Sequence, residues 1–416
     1  MQPAGAEEEV EVDLTNGQAR KPRKPEKPDI RTPIERFRRP PKKPLSVTDI
    51  VSPAWCELQY LYSLTKFGRV KRTPAMKQGS KVHKELESQV HTYVEIEVKT
   101  REDTFGLRIW NIIQGLRTLR ATGLTRELET WGVLDGEVVN GIIDELSFEC
   151  PDPELEASIE LARESDNLPP GQTTISDFYA SQQNPHSAWL GNPHPTRKVY
   201  LSDIKTRGTR YMPKGAALRG TQMQLMLYHR LLSDLASNMV HADTVFARYN
   251  LNAHTPFSPS FIGAIASLDD NFIHTTAVDD SEVEFNTLED QFSELAAHNS
   301  LTLLWSLMIT EFALILPTPN LSLSPILQAE FRASATGKVI GSHTFVYDSR
   351  VLERYVGKTM DWWMGRREAR GVDIEEAFKC GVCEFAPGCE WRESKVEEGV
   401  RRFREKKRVG GRKWVV

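Results

Sequence analysis

Apolar positions along the chain fall into helical and strand-like runs separated by polar, proline-rich stretches. Ser46-Val-Thr-Asp49 has capping-box spacing and opens an apolar, aromatic helical segment running toward Leu64, which Pro53 divides. Gly79 to about Val98 reads as a second helix. From Glu127 to Phe148 the pattern changes to strands, with Trp131-Gly-Val-Leu, an Asp135-Gly136 turn, and then Glu137 to Phe148. Asp-Gly between two such runs predicts a hairpin. Pro151 to Arg197, rich in Pro, Ser, Asn and Gln, reads as a mostly irregular insertion in which any helix is short. Lys198 to Thr206 returns as a strand, Arg219 to about Ser237 is an amphipathic helix, and Asp243 to Asn250 reads as another strand. The order helix, three strands, helix, strand predicts an α/β fold without internal repeats. The longest apolar stretch, Leu301 to Leu316, is shorter than a comfortable membrane span and contains Glu311, so it reads as a buried helix.

Composition narrows the class. A chain of 416 residues allows two or three domains, or one core with large insertions. With 39% hydrophobic and 26% charged residues, most of it can fold around a core, which excludes a wholly disordered or collagen-like polymer. A net charge of −4 hides strong segregation. Arg20 to Lys43 carries eleven basic and three acidic residues among prolines, so residues 1–44 are expected to form a disordered basic arm. Arg401 to Val416 carries eight basic residues and one acid, so 394–416 is expected to be a basic tail, while acid collects around Asp279 to Glu294. Each basic run alone is better explained by a solvated tail or a nuclear-import signal; the two together strengthen the case for a polyanionic partner without establishing it. Five cysteines are too few and too uneven for a secreted disulfide scaffold. The start, Met-Gln-Pro-Ala-Gly-Ala-Glu-Glu-Glu, has no apolar signal-peptide core, and an intracellular, membrane-free protein is expected.

The candidate chemistry begins at strand ends. Asp144 follows Gly141-Ile-Ile, and Asp203 follows Val199-Tyr-Leu-Ser, with Lys205 two residues on and therefore on the same face. Two carboxylates favour Mg²⁺ or Mn²⁺, and a neighbouring Lys can orient or deprotonate an attacking water. Asp-x-Lys alone is common by chance in solvated strands. His83 and Glu87 lie four residues apart on one helical face, so His83 can add an imidazole ligand to the same metal, with Glu87 positioning it or supporting a second ion; a satisfied surface or core residue is the competing reading for His83 and the favoured one for Glu87. Gln224 and Tyr228 repeat the four-residue spacing, which by itself fits an ordinary amphipathic helix equally well. Cys380-Gly-Val-Cys383 and Cys389 supply three thiols within ten residues, and Cys56 lies more than three hundred residues earlier. Four thiolates suit a tetrahedral Zn²⁺ or a [4Fe–4S] cluster, and spacing does not choose between them. Cys150 is left over and is expected to be a small buried hydrophobe.

Taken in order, Gly79 with His83, Asp144, Asp203-Ile-Lys205 and Gln224-x-x-x-Tyr228 resemble the RecB-like branch of the PD-(D/E)XK nucleases over roughly Gly79 to Asn250. Ile143 stands where that family's eponymous Pro would be, Asp203 replaces the commoner Glu, and 58 residues separate the two aspartates. The segments Leu45-Ser-Val-Thr-Asp49, Trp55-Cys56, Trp362-Trp-Met-Gly-Arg366-Arg and Glu376-Ala-Phe-Lys-Cys380-Gly-Val-Cys383 through Cys389-Glu-Trp391 are similar to the exonuclease V family, over about Leu45 to Glu393. The resemblance implies a restriction-endonuclease-like core, a mixed sheet flanked by helices, in a single nuclease domain at 45–393 with the insertion at 151–197. It implies a [4Fe–4S] cluster on Cys56, Cys380, Cys383 and Cys389 joining the ends 45–66 and 360–393. Asp144, Asp203, Lys205, Gln224 and Tyr228 become the catalytic set and His83, Asp144 and Asp203 the Mg²⁺ ligands, with the Ile204 carbonyl a further one. Arg207, Trp362 and Trp363 become candidates for DNA contact, with Trp391 a further stacking candidate; packing around the cluster is the competing role for the three tryptophans.

The implied activity is Mg-dependent hydrolysis of single-stranded DNA from a free end, in DNA repair or genome maintenance. The expected protein is a monomer, in mitochondrion or nucleus, with a single-strand-binding protein as a further partner. A non-catalytic, zinc- or Fe–S-stabilised nucleic-acid-binding scaffold is the alternative; it leaves the ordered His, Asp and Asp-x-Lys set to coincidence. A nucleotide-driven motor is excluded, because Val356-Gly-Lys-Thr359 lacks the earlier P-loop Gly, position 352 being Leu. An Fe–S redox enzyme finds no Gly-rich dinucleotide fingerprint.

Overall fold

Asp135 and Gly136 take left-handed φ values of 52° and 80°, as a two-residue hairpin turn of this hand requires. They join β2 (Leu124–Leu134) to β3 (Glu137–Ser147) in the computed structural model, which describes residues 29–70, 74–90, 98–166, 197–266 and 288–410. The sheet grows from β3. A two-residue strand β1 (Leu45–Ser46) pairs parallel with one end of β3, and β4 (Val199–Arg207) pairs antiparallel with its other end. β5 (Leu323–Ala333) adds parallel to β4, and β6 (Val339–Val346) closes the edge antiparallel. The result is a mixed six-stranded sheet in the order β1-β3-β4-β5-β6, with β2 on the other side of β3. The expected α/β class with a mixed, helix-flanked sheet is therefore observed.

The N-terminal helical segment divides as its sequence predicts. Ser46 and Asp49 cap each other's backbone to start α2 (Val47–Val51), Pro53 sits in a 3₁₀ turn, and α3 (Glu57–Phe67) follows. The basic arm is not wholly disordered. Thr32 and Glu35 form a second capping box for α1 (Pro33–Phe37), whose Ile34 and Phe37 are buried, and Arg38 binds the buried Asp49 carboxylate at 2.8 Å. Two apolar anchors in a Pro- and Arg-rich stretch carry too little pattern to announce a packed segment. Residues 1–28 lie outside the described residues.

The next helix starts earlier than expected, as α4 (Pro74–Glu87), and residues 91–97 of the expected span are outside the described ones. A long helix, α5 (Arg101–Thr122), then packs on β2. The insertion opens with α6 (Pro153–Asp166), longer than its composition announced and tied to β4 by Lys198, which reaches Glu156 at 2.9 Å and Glu160 at 2.6 Å. Residues 167–196 are outside the described set. The amphipathic helix is α7 (Ala216–Ala236), and its leucines Leu225, Leu231, Leu232 and Leu235 are all buried. The strand expected at 243–250 is instead helix α8 (Ala242–Tyr249), ending at Asn250 with φ 55°. Its neighbours Val245 and Phe246 are both buried, and Phe246 meets Phe105 and Trp305 edge-on. A short apolar run suits either element until its packing partners are known.

Two short helices, α9 (Pro259–Ala266) and α10 (Leu288–Ala297), precede α11 (Leu301–Ile315), which is the buried apolar run. Its Glu311 charge is met by Arg117 at 2.8 Å and Arg120 at 2.9 Å. No described helix is long and apolar enough to cross a membrane. A single turn, α12 (Pro319–Ser322), leads into β5, and α13 (Ser349–Trp363) follows β6. Val356 and Thr359 of the Gly-Lys-Thr run are buried inside α13, which is not the loop a phosphate cradle needs. Of the basic C-terminal tail, the described residues form a highly exposed helix, α14 (Glu390–Gly410), and 411–416 lie outside the described set.

His229 on α7 stacks on Tyr347 with ring centroids 4.2 Å apart, and burial pushes its imidazole down to about 4 from an ordinary 6.5. The unfolded chain takes up this proton near pH 6.5, the native one only near pH 4. The associated stability is therefore complete above pH 6.5 and is lost as pH falls toward 4, about 1 kcal/mol being gone by about pH 5.5. His229→Phe is expected to remove that loss, as read by urea unfolding at neutral and mildly acidic pH.

Candidate active site

The site is built where three strands carry a carboxylate each. Register pairs Arg126 with Glu145 and Leu128 with Ile143, which sets Glu127 opposite Asp144; Glu145 with Ser202 likewise sets Asp144 opposite Asp203. Residues directly opposite in antiparallel pairs share a face, so the carboxylates form one row. Glu127 takes a left-handed φ of 54° inside β2, a conformation uncommon for a non-glycine residue in a strand.

Helix α4 delivers His83 from the side. Gly79 makes this possible, since a Cβ there would stand 2.6 Å from Thr206 Oγ1, and Val82 and Leu86 pack on Ile204. His83 Nδ1 lies 3.2 Å from Glu127 Oε1 and 3.8 Å from Asp144 Oδ1, while Nε2 lies 3.0 Å from the Ile204 carbonyl. The ring is held above its usual pKa, first by the Glu127 hydrogen bond and then by the Asp144 charge, against burial. Glu127, not Glu87, is thus the carboxylate that meets His83. No sequence spacing connects them, because the contact comes from a helix crossing a strand forty-four residues away.

Asp144 accepts a hydrogen bond from the Ile204 amide at 2.8 Å, which locks β3 to β4 at the site. Burial and the neighbouring Asp203 push its carboxyl up to about 7, with Lys205 and His83 opposing. Lys205 and Asp203 do share a face: Nζ lies 2.8 Å from Oδ1 and 2.7 Å from Oδ2 of the fully buried Asp203. Burial would push the ammonium down, but the Asp203 and Asp144 charges outweigh it and hold Lys205 above its ordinary value. On α7, Gln224 Nε2 donates to the Tyr228 hydroxyl at 3.4 Å. Gly141 admits this helix, since a Cβ there would lie 2.5 Å from Tyr228 Cε1. Burial and the charges of Asp203 and Asp144 raise Tyr228 far above the usual phenol range, so it stays neutral.

Three carboxylates stand in this row beside the ammonium of Lys205, which contacts Asp203. Among the described residues, His83, Glu127 and Asp144 are the one group of three potential ligands whose donor atoms lie within 4.8 Å of one another. Oxygen-rich donors with one imidazole fit a hard divalent ion, and the raised carboxyl of Asp144 is what such an ion relieves. Arg207 ends β4 with its guanidinium 5.9 Å from the Phe331 ring centroid. Trp362 and Trp363 are corrected: they are 1% and 0% exposed, 4.8 Å from each other and edge-on to Tyr60, so neither offers a face to a base. Trp391 packs on Gly371, where a Cβ would stand 2.2 Å from its ring.

The cysteines assemble from both chain ends. Cys56, Cys380, Cys383 and Cys389 line one cavity, joined there by Trp55, Tyr62 and Trp391. Cys56 precedes α3; burial pushes its thiol up, while the backbone amides of Gln59 and Leu58 favour the thiolate. The ends also meet without the thiols. Arg367 grips Glu57 at 2.5 and 2.6 Å, the Leu58 amide donates to the Arg370 carbonyl, and Tyr62 meets Phe385 at 5.6 Å. The four cysteines include no compact group of three sulfurs within 4.8 Å among the described residues. Cys150 is half-buried and lies apart, near Glu156 and Tyr200, rather than in the core.

A family model described as exonuclease V, a 5′ deoxyribonuclease, matches residues 32–392. The exonuclease V of Danio rerio is 24% identical over 368 residues, covering 88% of this chain and 73% of the relative. The mitochondrial exonuclease V of Candida glabrata is 23% identical over 407 residues, covering 83% and 79%. That of Eremothecium gossypii is 22% identical over 424 residues, covering 85% and 77%.

Proposed function

The chain belongs to the exonuclease V family and is a nuclease, a hydrolase acting on DNA, and from that premise we propose that it digests single-stranded DNA from a free end, with Mg²⁺ or Mn²⁺ as cofactor. The observation that carries this reading is the row Glu127, Asp144, Asp203 flanked by His83 and Lys205. It supports a PD-(D/E)XK-type core in which Asp144 and His83 hold the cation, with Glu127 joining or replacing Asp203 as the third ligand. A divalent ion there supplies Lewis-acid polarisation of a phosphate oxygen.

The protein's own groups do the rest. Lys205, kept protonated by its carboxylate neighbours, stabilises charge developing on the phosphate rather than taking a proton. Asp203 fixes that ammonium. Tyr228 and Gln224 form the floor on the α7 side, and Arg207 holds a flanking phosphate. The family is described as a 5′ deoxyribonuclease, which supports digestion from 5′ ends; the exposed basic helix α14 supports attraction of the polyanion.

For the thiols we propose a [4Fe–4S] cluster. Single zinc with bonds of about 2.3 Å would set its sulfurs about 3.8 Å apart; four sulfurs ringing one cavity without a tight trio support the larger group. Its role is structural, joining the two ends, with a monomer as the working unit. The fungal relatives are named mitochondrial, and we place this protein in mitochondrion or nucleus, working in DNA repair beside a single-strand-binding protein.

The test compares linear, end-blocked and circular single strands with Mg²⁺ and anaerobically purified protein. Degradation of free-ended strands only is the expected result. Cleavage of circles would mean an endonuclease, and preference for blunt duplex would remove the single-strand assignment.

A further inference from the structure

A second cavity, of about 290 Å³, opens between the 3₁₀ turn Ser52–Ala54 and the first turns of α7, and reaches the catalytic set through Gln224. Its inner wall includes Gln224, which is bonded to Tyr228; its outer wall is Trp55, which also lines the cysteine cavity. The two walls are tied together. Lys379, buried, donates to the Trp55 carbonyl at 3.2 Å and to Glu376 at 2.6 Å, and Glu376 receives Arg219 of α7 at 2.5 Å. The cavity is therefore held open by the cluster-binding end of the chain on one side and the catalytic helix on the other.

We propose that this cavity receives one unpaired nucleobase of the substrate, next to the phosphate being cut, with Trp55 as its stacking platform. The inference rests on the single-strand reading above and deepens it. No charged side chain lines the space, which disfavours a phosphate and favours a base. Ala216, Ala217 and Gly220 keep one wall thin, and Thr48, Ser52 and Thr221 offer hydroxyls that bond any base edge, so entry selects for an unpaired base and not for sequence. Trp55 is 37% exposed, unlike the buried Trp362 and Trp363, and so has a face to give. At about 290 Å³ the space lies at the lower edge of small-ligand sites and is ample for one base.

The test uses the full chain with oligonucleotides carrying 2-aminopurine at successive positions from the end. In a Lys205→Ala background, fluorescence at one position near the end is expected to be quenched severalfold on binding. Trp55→Ala and, independently, Ala217→Leu, which fills the cavity from an exposed helical position, abolish that quenching. With Lys205 intact, both raise KM on single strands about tenfold, the order of one lost stack, while kcat changes little; Trp55→Phe keeps most of the affinity. Iron content reports whether Trp55→Ala has disturbed the neighbouring Cys56, a complication Ala217→Leu avoids. Unchanged quenching and KM in both variants overturns the subsite alone. Failure of the wild type to cleave single strands overturns the functional reading beneath it.

Discussion

Lys205→Ala protein is expected to bind single-stranded DNA yet cleave it about a hundred- to a thousandfold more slowly, the usual loss when one preorganised charge stabiliser is removed. The ammonium touches both oxygens of Asp203 and is held protonated by Asp203 and Asp144. The same change exposes a cost in stability. Asp203 is fully buried, and breaking a buried pair by deleting one partner costs about 3–5 kcal/mol when nothing else meets the charge. A divalent ion on the same row would meet it. Thermal unfolding of the variant is therefore expected to respond to Mg²⁺ more strongly than that of the wild type. Lys205→Arg is expected not to rescue, since a planar fork does not fit a point-charge site of this depth. Activity within threefold of wild type would remove Lys205 from the site.

Cys383→Ser is expected to abolish iron binding and to loosen both chain ends at once. Cys56 and Cys383 are more than three hundred residues apart, so a cross-link between them constrains a very long loop. Loop-closure entropy values such a constraint at about 5–6 kcal/mol, an upper figure because the ends already meet through Glu57, Arg367 and Arg370. The surviving contacts make the expected product partly folded: protease attack near residues 45–66 and 360–393 with the sheet still intact. Anaerobic iron and sulfide analysis with limited proteolysis reads both effects. Zinc at one equivalent, or wild-type iron in the variant, would sink the proposed cluster.

Much of this site was legible in local pattern. Asp203 and Lys205 share a face because strands alternate, and the Asp135-Gly136 turn requires the hairpin that presents Asp144. Helix α7 followed from its leucines. Glu127 was not legible, because its partner His83 arrives on a helix and its strand conformation is unusual. The β5–β6 pair, which completes the sheet, was not legible in local pattern. Residues 242–249 show the converse: their apolar content is legible in the sequence, but a run this short does not fix its period, and packing makes it a helix.

What the sequence by itself determined is chemistry at fixed short spacing: which residues can bind a cation, which thiols can act together, where turns and caps must fall. Those depend on bond geometry and on one or two neighbours. Only the tertiary structure decided which carboxylates stand in one row, that Trp362 and Trp363 are core while Trp55 is not, and that both chain ends share one cavity. These outcomes depend on burial and on register between distant strands, and both are set by the whole chain's competition for the same core.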